Sequence, residues 1–222
     1  MKIFKLPLTL FLCIGILFCV GACSEKLDYF SYVSEIRTNI FCAQNETACV
    51  TVYSGAKENP AIYDGIKNDT ALLIGVKLIL SEEPSVPVKV TVCYSDKSYE
   101  IPLEFHPVKR ALAGKTNVTE LPTDQIEVAV CYGENNFTLT ATSQLNENVI
   151  SYTDALKVAT DEASEFLKQH TKNGVLQAEI VIRLLCEEGK NYYYVGFITS
   201  EGLKKAFLID GASAEILARK DK

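Results

Sequence analysis

The chain has 222 residues, 48 % apolar and 23 % charged, which is enough for one large or two small packed domains and too apolar for a disordered chain. With 22 basic against 28 acidic side chains, it carries no sequence-wide cationic field, so nucleic acid is not an expected partner. Eight cysteines are too sparse for a small disulfide scaffold, and two histidines leave little material for metal or triad chemistry.

The first segment addresses the chain. Lys2 and Lys5 precede an uncharged run from Leu6 to Ser24, the layout of an export signal. The run closes on Val20-Gly21-Ala22-Cys23, which resembles the lipobox of bacterial lipoproteins. The resemblance implies a signal peptide over residues 1–22, cut after lipid has been added to the Cys23 thiol, with acyl chains such as palmitate. Gly21 and Ala22 are small enough for the backbone to enter the peptidase. A pair of acyl chains anchors stably where one would not. The expected location is therefore the extracytoplasmic face of a bacterial cell membrane, with residues 23–28 as a short linker. An ordinary secretory signal and an uncleaved membrane helix are the alternatives, although Leu6 to Cys23 falls a little short of the about 20 residues that span a bilayer. The N-x-S/T sequons at Asn45, Asn68, Asn117 and Asn136 are chance in a bacterial lipoprotein.

Residues 29–148 read as short strands between turns. Val88, Val90 and Val92 alternate with Lys89, Thr91 and Cys93; Ile126, Val128 and Val130 alternate with Glu127, Ala129 and Cys131. Period-2 patterning with β-branched residues marks half-buried strands. Ser95-Asp96-Lys97-Ser98 and Gly133-Glu134-Asn135-Asn136 supply turns; Asn59-Pro60, Asp64-Gly65 and Ser81-Glu82-Glu83-Pro84 supply loops. Val90 to Ile101 and Val128 to Leu139 share a pattern: Val-x-Val-Cys-Tyr, a small residue, an acid, two polar residues, an aromatic and an apolar residue two further on. Such a series of antiparallel hairpins predicts a β-sandwich, immunoglobulin-like in class but without the tryptophan of true immunoglobulin cores.

Residues 149–222 change pattern. Ser151 is placed to cap a helix with Asp154 three residues on. Leu156, Ala159, Ala163, Phe166, Leu167 and His170 then form one apolar face, with Lys168 and Lys172 near the negative end and Gly174 to stop it. Strands are expected over 175–186, 191–199 and 204–210, so that the helix packs on an antiparallel meander. The stretch from Tyr192-Tyr193-Tyr194-Val195-Gly196-Phe197 through Gly202 to Phe207-Leu208-Ile209-Asp210 resembles the PepSY family of bacterial extracytoplasmic modules. Asp210, Glu215, Ile216 and Leu217 match the family's closing pattern, while Ala214 stands where the family usually has Gly. A non-Gly residue tolerates a left-handed turn poorly, so the turn is expected to differ. The resemblance implies an α-β-β-β fold and, in some members, protease inhibition or cell-wall-associated binding. It transfers no catalytic residue.

Candidate chemistry is sparse. Export permits disulfides, and Cys42 with Cys49, or Cys93 with Cys131, are the candidate pairs; the bland alternative is that all stay unpaired. Cys186 reads as packing. There is no C-x-x-C and no Cys/His cluster for zinc, and no cofactor is expected. His106 and His170 read as structural, and the acidic pairs Glu82-Glu83 and Glu187-Glu188 as solvated loops. Tyr192, Tyr193 and Tyr194 put aromatics on both faces of one strand. Tyr192 and Tyr194, with Tyr94 and Tyr132 at the hairpin shoulders, are the candidate binding surface, because aromatics concentrate contact energy. The expected function is a non-enzymatic binding or regulatory module for an envelope protein, a protease or a cell-wall polymer. The rival is an envelope hydrolase whose carboxylates meet only in the fold.

Overall fold

Alternation dictates strands over most of this chain, and the computed structural model describes residues 27–222 apart from positions 61, 63, 108 and 109. The expected signal peptide and Cys23 lie outside the described residues. A 3-10 turn at Tyr29–Tyr32, capped by the Asp28 side chain, leads into β1 (Val33–Gln44), β2 (Ala48–Glu58) and β3 (Thr70–Leu80). These strands, of 12, 11 and 11 residues, are longer than the short strands expected. Irregularities between Val33 and Glu35 and between Arg37 and Asn39 break the alternation of β1 and hide its length.

Two layers then form a sandwich. β1, β2, β3, β7 (Ala111–Asn117) and β6 (Glu104–His106) make one, in that order. The other runs β5 (Lys97–Pro102), β4 (Lys89–Tyr94), β8 (Gln125–Tyr132), β9 (Asn135–Ser143). Val50, Val52, Ile74, Val76 and Leu78 face Val90, Val92, Val128 and Val130 in a core that also holds Phe41 without exposure. The two similar hairpins lie back to back, with Val90 opposite Val130 and Val92 opposite Val128. Their turns differ. Ser95 and Asp96 both take positive φ, 48° and 60°, whereas in the second turn glycine supplies it, Gly133 at 56°. These are the two solutions whose twist suits a two-residue hairpin.

The C-terminal layer follows the expected plan. Ser151 Oγ accepts from the Asp154 amide at 3.1 Å and starts α1 (Tyr152–Glu162). The helix pauses at Ala163 and resumes as α2 (Ser164–Gln169), with His170 as its C-cap. Lys172, expected in the last helical turn, instead starts a hairpin of β10 (Thr171–Lys172) and β11 (Val175–Leu176) around Asn173-Gly174. The apolar face of the helices packs on β12 (Ala178–Glu187), β13 (Lys190–Thr199) and β14 (Lys204–Asp210), with β15 (Ile216–Asp221) beyond. Ala159, Ala163 and Leu167 meet Ile180, Ile182, Val195, Phe197, Phe207 and Ile209, and each such large side chain contributes about 1.5–3 kcal/mol by leaving water. The turn after β14 does take a left-handed residue: Ala214 sits at φ 63°. Asp210 offsets that strain, its Oδ1 accepting from the amides of Ala212 (2.9 Å) and Ser213 (2.8 Å).

The sandwich and the helix-covered layer share β1. Its first half runs parallel to β12, with Val33 opposite Ile180, Ile36 opposite Ile182 and Arg37 opposite Arg183. Its second half pairs with β9 through Phe41 and Cys42. One sheet therefore continues from β15 to β6 across the expected boundary at residues 148 and 149. Asn191 fastens the connection, donating to the Gln144 carbonyl (3.0 Å) and accepting from the Asn146 amide (2.9 Å). Among the described residues no helix is long and apolar enough to cross a membrane.

Candidate functional site

Where the two layers meet, the sheet face opposite the sandwich core carries a patterned surface. Directly opposed residues on neighbouring strands share a face, so the register can be read as rows. One row runs Tyr194, Arg183, Arg37, Gly55 across β13, β12, β1 and β2. The next runs Ile40, Tyr53, Gly75, Lys115 across β1, β2, β3 and β7, and a third Cys42, Thr51, Lys77, Ala113. The Arg37 guanidinium lies 4.0 Å over the Tyr53 ring, and that of Arg183 lies 5.9 Å from Tyr194. The Tyr53 ring in turn occupies the space above Gly75, where any side chain would collide with it. Leu184 and Leu185, where β12 leaves β1, wall off a groove of 610 Å³ over Tyr53, Lys77 and Lys115.

A buried carboxylate fixes this arrangement. Glu35 is 3 % exposed. Its oxygens take Arg183 at 2.7 and 2.8 Å, Arg37 at 3.0 Å and Lys57 at 3.0 Å. The three cations come from β12, β1 and β2, so one acid joins both layers and sets Arg37 over its aromatic partner. A charge-assisted fork of this kind holds side chains in one geometry as well as adding attraction.

Tyr192 and Tyr194, expected as binding residues, are half-buried on this same face, with Tyr192 opposite the groove residue Leu185. Tyr193 points the other way into the core, donating to the Ile150 carbonyl at 3.1 Å, and burial pushes its phenol up to about 12. Tyr94 and Tyr132 are elsewhere. Tyr94 is 8 % exposed, stacks on Tyr99 and donates to the Glu120 carbonyl at 2.8 Å; Tyr132 packs edge-on to Phe137. The thiols of Cys42, Cys49, Cys93, Cys131 and Cys186 are all free. Cys42 lies opposite Thr51 and Cys49 opposite Gln44, which leaves the two as diagonal neighbours, too far apart for a bridge without backbone movement. Cys93 faces Glu127 and Cys131 faces Lys89, four residues apart along the ladder, or about 14 Å. Each donates instead within its own hairpin, Cys93 to Ser98 and Cys131 to Asn136. Burial raises the Cys42 thiol above its ordinary value.

The carboxylates that meet in the fold are Glu58 and Glu179, not the loop pairs Glu82-Glu83 and Glu187-Glu188. Glu179, wholly buried, accepts from the amides of Asp64 (2.7 Å) and Gly65 (2.8 Å); Glu58, 4 % exposed, accepts from that of Asn68 (2.6 Å). Burial, with Glu179 and Asp64 adding, raises the Glu58 carboxyl. Both acids pin the loop between β2 and β3. His106 ends β6, and His170 Nδ1 lies 2.8 Å from the Phe166 carbonyl under the neighbouring ring. Among the described residues no cluster of three His, Cys, Asp or Glu is placed to hold a metal.

No family model, curated protein or solved structure matches this chain. Sequence reasoning singled out Tyr192 and Tyr194, which share the face but do not line the groove, and did not single out Glu35, Arg37, Tyr53, Lys77, Lys115 or Arg183. One signal was available: Glu35 and Arg37, two apart in a strand, share a face as an opposite-charge pair. Nothing in the sequence ties them to Arg183.

Proposed function

We propose that this chain is a lipid-anchored lipoprotein of the bacterial cell membrane that works on its extracytoplasmic face as a binding or regulatory module, without a reaction of its own. The groove built around Arg37 and Tyr53 carries the reading. It has the size of a ligand site, apolar walls and a few convergent polar groups, fixed in advance by Glu35. The lipobox-like Val20-Gly21-Ala22-Cys23 supports the anchor. The order helix, β12, β13, β14 supports a PepSY-like module over 149–222. The partner on this reading is an envelope protein, a protease or a cell-wall polymer.

Two measurements test it. Mass spectrometry of native material should find residue 23 acylated and N-terminal; an unmodified Cys23 in an intact chain removes the anchor. Crosslinked capture from detergent-solubilised membranes, with the full chain and with the double variant Arg37→Ala/Tyr53→Ala, should yield a partner that the variant loses. Identical capture by both would move binding away from the groove.

A further inference from the structure

The groove also carries the chemistry of its ligand. Its walls and its rim differ: Ile40, Leu185 and the Tyr53 ring form an apolar floor and wall. At the open side stand Lys77 and Lys115, both exposed, one strand apart on β3 and β7. Neither has a carboxylate within ion-pair distance among the described residues, in a chain where acids outnumber bases 28 to 22. Two exposed ammonium groups without such a partner, set beside an apolar trough, are free to meet an anion there. Arg37, held over Tyr53 by Glu35, adds a third cation deeper in, and Thr51 adds a hydroxyl. Glu187 is the one acid lining the groove.

Resting on the binding role proposed above, we infer that the groove takes an anionic amphiphile, its phosphate or carboxylate head at Lys77 and Lys115 and its apolar body along Ile40, Leu185 and Tyr53. The shape favours a ligand lying on side chains over an extended peptide added as a strand, because the groove floor is a sheet face and β1, β2 and β3 each have strands on both sides. It argues against a long polyanion too, because buried apolar walls contribute nothing to a solvated charged chain. A head group bridging two lysines by charge-assisted bonds, with its tail out of water, uses both features at once.

Calorimetric titration of the full chain with n-decyl phosphate below its micelle concentration should show saturable binding. Inorganic phosphate and uncharged decyl maltoside should each bind at least about ten-fold more weakly, as should decyl phosphate to Lys77→Gln/Lys115→Gln. Both lysines are exposed, so that variant is expected to fold, and an unchanged melting curve verifies it. Equal affinity for decyl phosphate and decyl maltoside, or for wild type and the double variant, overturns the proposal. Capture of a protein or a polygalacturonate chain through Arg37 and Tyr53, with no response to decyl phosphate, overturns the amphiphile and leaves the binding module standing. If no probe binds and no partner is captured, both fall.

Discussion

The sandwich layer β5-β4-β8-β9 and the helix-covered layer β12-β13-β14-β15 both grow from β1, yet they are joined to it by different chemistry. The first closes chiefly by interdigitated Val and Ile, with a short backbone pairing at Phe41 and Cys42. The second is zipped by a parallel ladder and locked by Glu35 under Arg37, Lys57 and Arg183. Apolar closure tolerates exchange of side chains as long as volume and patterning are kept. A carboxylate shared by three cations does not, because every partner must reach the same two oxygens. The charged seam therefore sets position, and the groove is built on that seam.

The largest expected effect comes from breaking the lock. Glu35→Ala removes the acid shared by three partners, and chemical denaturation should show a loss of about 3–5 kcal/mol; a loss below about 1 kcal/mol would reduce the cluster to decoration. Comparable losses, about 3–5 kcal/mol each, are expected for Phe41→Ala in the sandwich and Phe197→Ala under the helices, both wholly buried. The informative readout there is cooperativity. If β1 couples the layers, each variant melts in one transition at a lower temperature; a biphasic melt would separate them. Ser151→Ala should cost about 1 kcal/mol by uncapping α1, visible as earlier loss of helical circular dichroism. Ala214→Gly should gain up to about 1 kcal/mol, since glycine takes the left-handed turn freely. Smallest is a pH effect. Folding disfavours the charged form of Glu58, so its contribution is present below its ordinary value of 4.5 and is lost as pH rises through the raised folded value. Glu58→Gln keeps the acceptor for Asn68 and removes the charge. Urea midpoints of variant and wild type should agree at about pH 4, and the variant should be the more stable at about pH 7.

The parts legible in sequence were those whose partners are close along the chain. The Val-x-Val repeats of β4 and β8, the Ser151 cap and the apolar face of the helix all announce themselves, because period and neighbour decide them. β1 was not legible, since two irregularities scramble its alternation. The site suffered the same way. Tyr192 and Tyr194 stand out as a run of aromatics, whereas Tyr53 looks like any strand tyrosine until Gly75 opens beneath it and Arg37 settles above. The Glu35 to Arg183 contact links positions 148 apart in sequence, a separation no local pattern encodes.

The parallel pairing of β1 with β12 also has a bearing on biogenesis. β1 waits for β12 before that edge is filled, a pairing whose sequence separation makes it a slow closure by contact order. A product terminated before residue 178 would leave that edge bare and ready to template strangers.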